Sequence, residues 1–250
     1  MAPFLDLPER SAKPRQQGLT VVLDRGLSVS EVDGLIEVAG GSVDLVKLGW
    51  GTAVATGNLD AKLGRYREHG VPVVLGGTLT EIAIQQERVD ALVRWLHELR
   101  ILHVEVSDGT ITLAPERKRA LIGRLAGEGF VVLSEVGSKD AAEIMAPYRW
   151  VEQIRGELEA GAWKVIAESR ESGTVGLYRA DGEPRMGLVD EIAHEVDPSR
   201  LVWEAPQKAQ QVFFLRRFGP EANLGNIAPD DVLSLETLRL GLRSDTAGAF

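Results

Sequence analysis

Glu87-Arg88-Val89-Asp90-Ala91-Leu92-Val93-Arg94-Trp95-Leu96-His97-Glu98-Leu99 and, after a gap of two residues, Leu102-His103-Val104-Glu105-Val106 place one helix before one strand. In the first stretch Val89, Leu92, Val93, Leu96 and Leu99 recur at helical spacing and give one apolar face. The second is short and apolar, as a buried strand is, yet it carries a carboxylate, Glu105. Outward from this pair, similar apolar runs recur at Thr20 to Leu23, Leu45 to Leu48, Val71 to Leu75, Phe130 to Leu133, Trp163 to Ala167, Leu201 to Trp203 and, more weakly, Ala222 to Leu224. Helix-like segments separate them, among them Ala141 to Gly156 and a last one from Asp231 to Arg243 that Pro229 and Asp230 announce. Strands alternating with helices require parallel pairing and right-handed crossovers, and eight units of about 30 residues predict a closed α/β barrel of the (β/α)8 TIM type. An open doubly wound sheet usually begins with a Gly-rich phosphate loop, and Asp24-Arg25-Gly26-Leu27 is not one.

No compositional break divides the chain, so residues 1–250 are expected to form a single barrel domain, with 1–18 as an N-terminal extension. The longest irregular stretch, 170–187, predicts a lid loop. The 250 residues are 44% hydrophobic and 26% charged, with a net charge of −9 and no Cys. Lack of Cys excludes disulfides, thiolate metal sites and a thiol nucleophile. An acidic chain without a basic stripe is expected to bind no nucleic acid, and no apolar run approaches the roughly 18 residues of a membrane span. Nor does the N-terminus resemble a secretory signal, so a cytoplasmic protein is expected.

Polar residues close the apolar runs at their C-terminal ends, which a barrel gathers on its catalytic face. Glu105, Glu135, Glu168 and Glu204 do so on four successive strands. Carboxylates that close together repel, so a cation must accompany them; with no Cys and with His69, His97 and His194 in helix-like segments, a hard oxygen-ligated ion such as Mg²⁺ fits best. His103 shares a strand face with Glu105, although a satisfied core histidine is the commoner case. Lys47, Lys139, Arg170 and Lys208 would share the mouth and could hold a multiply charged anion, Arg170 by bidentate recognition and Lys139 as a compact proton donor. Gly76-Gly77-Thr78 and Gly219-Pro220-Glu221-Ala222-Asn223-Leu224-Gly225-Asn226 could present backbone N–H groups to it. The five Trp residues share no spacing, and packing is the expected role for most.

The segments Val46-Lys47-Leu48-Gly49-Trp50-Gly51-Thr52, Gly76-Gly77-Thr78-Leu79-Thr80-Glu81, Glu105-Val106-Ser107-Asp108-Gly109, Ser134-Glu135-Val136-Gly137-Ser138-Lys139-Asp140, Glu168-Ser169-Arg170-Glu171-Ser172-Gly173, Trp203-Glu204-Ala205-Pro206 with Gln210-Gln211, and Asn223-Leu224-Gly225-Asn226-Ile227 run in order along the chain. Together they make it resemble the phosphosulfolactate synthase family, which adds sulfite to phosphoenolpyruvate in the coenzyme M pathway. The resemblance implies a (β/α)8 barrel, Mg²⁺ dependence, a homo-oligomer and a carbon–sulfur lyase run synthetically on small anionic substrates. On that basis Lys139, Arg170 and Lys47 are the expected catalytic residues. Lys208, Gln210, Asn223, Gly225 and Asn226 would bind substrate, and Glu105, Glu135, Glu168 and Glu204 would bind the metal. Three alternatives stand beside it: a barrel enzyme with another nucleophile or another phosphorylated acid, a Schiff-base aldolase using Lys47 or Lys164, and a non-catalytic stress-associated homologue.

Overall fold

A computed structural model describes residues 4–137, 145–170 and 172–250. In chain order it contains β1 (Thr20–Asp24), α1 (Val29–Ala39), β2 (Leu45–Leu48), α2 (Thr52–Ala55), α3 (Leu59–Glu68), β3 (Val73–Leu75), α4 (Gly77–Gln85), α5 (Val89–Glu98), β4 (His103–Val106) and α6 (Pro115–Gly127). There follow β5 (Val131–Val136), α7 (Pro147–Glu159), β6 (Lys164–Ala167), α8 (Met186–Glu195), β7 (Leu201–Glu204), α9 (Lys208–Phe218), β8 (Leu224–Ile227) and α10 (Val232–Arg239). All strands pair in parallel in the order β1 to β8, and β8 pairs back to β1, so the sheet closes.

Local chemistry marks the helix starts. Ser28 and Glu31 form a reciprocal capping box at α1, and Pro115 and Pro147 occupy the first turns of α6 and α7, where a missing N–H costs nothing. α5 buries Leu92, Val93 and Leu96, the stripe its periodicity predicts. The apolar side chains divide into two sets. Val22, Val46, Val104, Val132, Val165 and Trp203 face outward and join the helices in the larger core. Leu19, Val21, Leu45, Val74, Leu133, Ile166 and Val202 fill the barrel interior.

Because successive side chains alternate in direction, the residue two positions beyond each interior residue lies one layer higher on the same face. Leu45 is followed so by Lys47, Leu133 by Glu135, Ile166 by Glu168 and Val202 by Glu204. The strand period therefore stacks a charged layer on an apolar one at the C-terminal rim.

Several boundaries differ from the sequence reading. The eighth strand begins at Leu224 rather than Ala222 and runs through Asn226, because pairing with β1 and β7 fixes its register, with an irregularity between Thr20 and Val22. The fifth continues through Glu135 to Val136, so a carboxylate lies inside a strand. The expected lid is pinned for much of its length. Val175, Leu177 and Tyr178 are buried, the Tyr178 hydroxyl donates to the Glu204 carbonyl at 2.5 Å, and α8 already begins at Met186.

Candidate active site

At the C-terminal rim a cavity of about 210 Å³ opens over the charged layer. Its wall takes Leu23 from β1, Lys47, Gly49 and Trp50 from β2 and its end, Gly76, Gly77 and Thr78 beyond β3, and Glu105 and Thr110 from β4 and its loop. Glu135, Glu168 with Arg170, Glu204 and Asn226 complete it from β5 to β8.

The Lys47 ammonium stands 3.1 Å from Glu105 Oε2 and 3.2 Å from Glu204 Oε1. Burial alone would lower the pKa of this lysine, but the carboxylates of Glu105, Glu204, Glu135 and Glu168 outweigh it and hold the group well above its ordinary value. Lys47 is thus the internal counter-ion of the acidic cluster, and it is a cation at neutral pH. Glu204 is raised, first by burial and then by Glu135, against the pull of Lys47 and of the Ser169 N–H.

Three backbone contacts of these carboxylates fix loops. Glu105 Oε1 accepts the Gly77 N–H at 2.8 Å, Glu204 Oε2 accepts the Ser169 N–H at 2.9 Å, and Glu168 Oε1 accepts the Arg170 N–H. A Cβ at Gly77 would lie 2.1 Å from Ser107 Oγ and 2.7 Å from Glu105 Oε1, so only glycine lets the start of α4 approach that carboxylate. Behind the wall, Glu81 binds Ser107 Oγ and the N–H groups of Thr110 and Ile111, which positions the loop after β4.

The structure therefore gathers Lys47, Arg170, Asn226 and all four glutamates around one cavity. Lys139 lies outside the described residues. Four other expected substrate-binding residues lie away from the cavity. The Lys208 ammonium pairs with Asp245 at 2.6 Å, toward the C-terminal tail. Gln210 is buried and donates to the carbonyls of Gly173 and Gly182, so it pins the loop after β6. Asn223 precedes β8 at the opposite end of the barrel, where its amide serves Leu19 N–H and the carbonyls of Ser199 and Leu201. Gly225 lies within β8, with Val202 Cγ1 3.0 Å from where its Cβ would be. His103 starts β4 at that same far end, beside Trp163, and burial lowers its pKa. Lys164 also lies there, with its amine on Gln16 and Ser199 carbonyls.

Trp50 is the residue that sequence reasoning missed. Trp150 and Trp203 are buried as expected, but Trp50 stands exposed at the cavity edge. Its position between Gly49 and Gly51, directly after the strand that carries Lys47, was the available signal.

The family model described as (2R)-phospho-3-sulfolactate synthase matches residues 8–245. The chain belongs to the phosphosulfolactate synthase family. A phosphosulfolactate synthase of Bacillus subtilis is 42% identical over 245 residues and 97% of both chains. One from Methanothermobacter thermautotrophicus is 40% identical over 246 residues, 96% of this chain and 95% of its own. Among solved structures, 3-hexulose-6-phosphate synthase from Salmonella typhimurium aligns with a TM-score of 0.55 at 15% identity, covering 92% of this chain and 93% of its own, a likeness of fold alone. In this phosphosulfolactate synthase-family chain no helix among the described residues is long and apolar enough to cross a membrane.

Proposed function

We propose that the chain catalyses the Mg²⁺-dependent addition of sulfite to phosphoenolpyruvate, giving phosphosulfolactate. The observation that carries this reading is the Lys47-centred glutamate cluster facing Arg170 across one cavity, in a chain of this family.

The reaction joins two anions, so repulsion between them is the first barrier. The sulfur lone pair attacks C3 of the enol phosphate, the C2–C3 π electrons move onto the carboxylate, and C2 then takes a proton. Lys47, held as a cation, and Arg170 offset the approach of negative charge. Lys47 cannot serve as a neutral amine nucleophile at neutral pH, because its carboxylate neighbours stabilise the ammonium; this disfavours a Schiff base there. Lys164, at the far pole with no opening to the cavity, does not supply one either. Lys139 remains the proposed proton donor.

The donor set suits a hard cation: four carboxylates face two cationic side chains among the described lining residues. Among those residues no three acidic or imidazole side chains group closely enough to form a ready cage, which suits an ion held by one or two carboxylates together with bound substrate. One or two of Glu105, Glu135, Glu168 and Glu204 would supply those ligands. Bound there, Mg²⁺ would supply Lewis-acid stabilisation of charge on the substrate carboxylate. The fixed loops around Glu105, Glu168 and Glu204 keep the charged groups pre-oriented, so little reorganisation accompanies the reaction.

The test is to incubate the protein with phosphoenolpyruvate, sulfite and Mg²⁺ while following loss of the enol absorbance and the mass of the product. Turnover that chelator abolishes and Mg²⁺ restores is expected. Turnover of phosphoenolpyruvate with a different nucleophile, and none with sulfite, would overturn the reading.

A further inference from the structure

Four lysines are buried among the described residues. Lys47 belongs to the cavity, Lys62 pairs with Asp24 at the end of β1, and Lys164 serves the far pole. The fourth, Lys118, is 1% exposed and does not reach the cavity, yet two of its three partners belong to segments that line it.

Lys118 lies near the start of α6, where a cation opposes the helix dipole. Three oxygens hold it against that preference: Asp108 Oδ1 and Glu157 Oε1, each at 2.9 Å, and the Glu135 carbonyl at 2.5 Å. Burial alone would lower the pKa of the ammonium, but Glu157 and Asp108 outweigh it and raise the value, so Lys118 is a cation at neutral pH. Strand length leaves the carbonyl free for it. β4 ends at Val106, which pairs with Ser134, while β5 runs on to Val136. The Val132 and Val136 carbonyls accept from Trp163 and Glu168 on the β6 side. Successive carbonyls alternate in direction, so that of Glu135 points toward β4, where the ladder has stopped. Lys118 fills the missing rung and, with the same ammonium, holds Asp108 of the loop that follows β4.

We propose that Lys118 is a positioning residue for the reaction, tying the end of β5 to the loop after β4 so that Glu135 and Thr110 keep their places in the cavity wall. This deepens the reading above and rests on it. Thr110 lies two residues beyond Asp108, and Glu81 of α4 takes its N–H, so helices on both flanks of β4 clamp this loop. A buried Lys–Glu pair seldom stabilises a fold more than apolar side chains of similar size would, so pairing with Glu157 does not by itself account for a lysine here. The bonds to Asp108 and to the Glu135 carbonyl do. No apolar side chain could make them, and both end on segments of the cavity wall.

Variants matched in stability separate positioning from packing. Glu157→Gln keeps both bonds from Lys118 to the rim, so kcat should stay within about two-fold of wild type. Lys118→Met combined with Glu157→Leu exchanges the buried pair for apolar side chains of similar size and should keep a urea midpoint near that of wild type. Its kcat should nevertheless fall about ten-fold, the worth of a charged hydrogen bond, and amide exchange over residues 107–113 should accelerate. Asp108→Asn, introduced into that double variant, should cost nothing further, because the bond it removes is already gone. Wild-type turnover in the double variant, an equal loss in Glu157→Gln, or a further loss on adding Asp108→Asn would overturn the proposal while the reaction stands. Should the double variant not fold, Asp108→Asn in the wild type decides: faster exchange over 107–113 with a lower kcat supports the tether, and no change in either overturns it. If the wild type fails to turn over phosphoenolpyruvate with sulfite, the reading above falls instead. Exchange then scores the tether by itself, since acceleration in the double variant supports it and unaltered exchange overturns it.

Discussion

Lys47 illustrates how a single residue balances the rim. Its ammonium neutralises part of the charge of Glu105 and Glu204 where water cannot, so removing it takes away a cation 3.1 and 3.2 Å from two buried carboxylates. Lys47→Met should therefore lose about 3 kcal/mol of stability at neutral pH, read from urea unfolding. The loss should shrink as the pH falls. In the variant the glutamate pKa values rise above their unfolded values, so the folded state holds more protons than the unfolded one, and acid favours it. A deficit that stays constant from neutral pH down to the carboxylate range would contradict this account. Lys47 and the glutamates were legible in the sequence because charge inside an apolar strand is costly and rare. Trp50 was not, because neither its exposure nor its left-handed backbone is visible in residue order.

At the scale of elements, the loop between β6 and α8 is held by side chains from its neighbours. Gln210, on α9, donates to the carbonyls of Gly173 and Gly182 at 2.8 and 3.1 Å while its own oxygen accepts the Gln207 N–H at 3.1 Å. The same helix is thus capped and tied to the loop by one amide. Gln210→Ala should release the loop, with cleavage within residues 172–183 accelerated in limited proteolysis and kcat reduced, since Arg170 starts the segment. Unaltered cleavage would show that Tyr178 and its neighbours hold the loop without Gln210. The loop's Gly and Pro content marks an irregular stretch in the sequence, although α8 begins at Met186, inside the expected range of 170–187. Its anchoring was not legible, because Gln210 and Gly173 are far apart in sequence. The eighth strand shows a similar limit. Leu224-Gly225-Asn226-Ile227 has only two apolar side chains, so its phase comes from pairing with β1 and β7, and that phase decides that Asn226 reaches the cavity while Asn223 braces the base.

Across the whole molecule the two poles divide the work. The N-terminal pole is closed by the chain's first segment: Arg10 pairs with Glu221 and Glu236, Arg15 pairs with Asp44, and Lys164 donates to the carbonyls of Gln16 and Ser199. Burial, with a contribution from Arg200 and against Asp197, lowers the Lys164 pKa from 10.5 to about 8. Between those values the unfolded chain binds the proton and the folded one releases it, so this lysine makes the fold more stable as pH rises through that window. Relative to Lys164→Met, wild type should gain in urea midpoint from about pH 7.5 to 10, with turnover of the variant retained at neutral pH because the cavity lies at the other pole. A gap that narrows with rising pH would reverse the sign of the argument. By itself the sequence determined the barrel and the row of glutamates at its strand ends, because the strand period and the cost of buried charge are both written in residue order. Only the closed tertiary structure decided the phase of β8, which brings Asn226 and not Asn223 to the cavity, and which loops meet. Register and ring closure are set by pairing between segments far apart in the chain, and no local pattern encodes them.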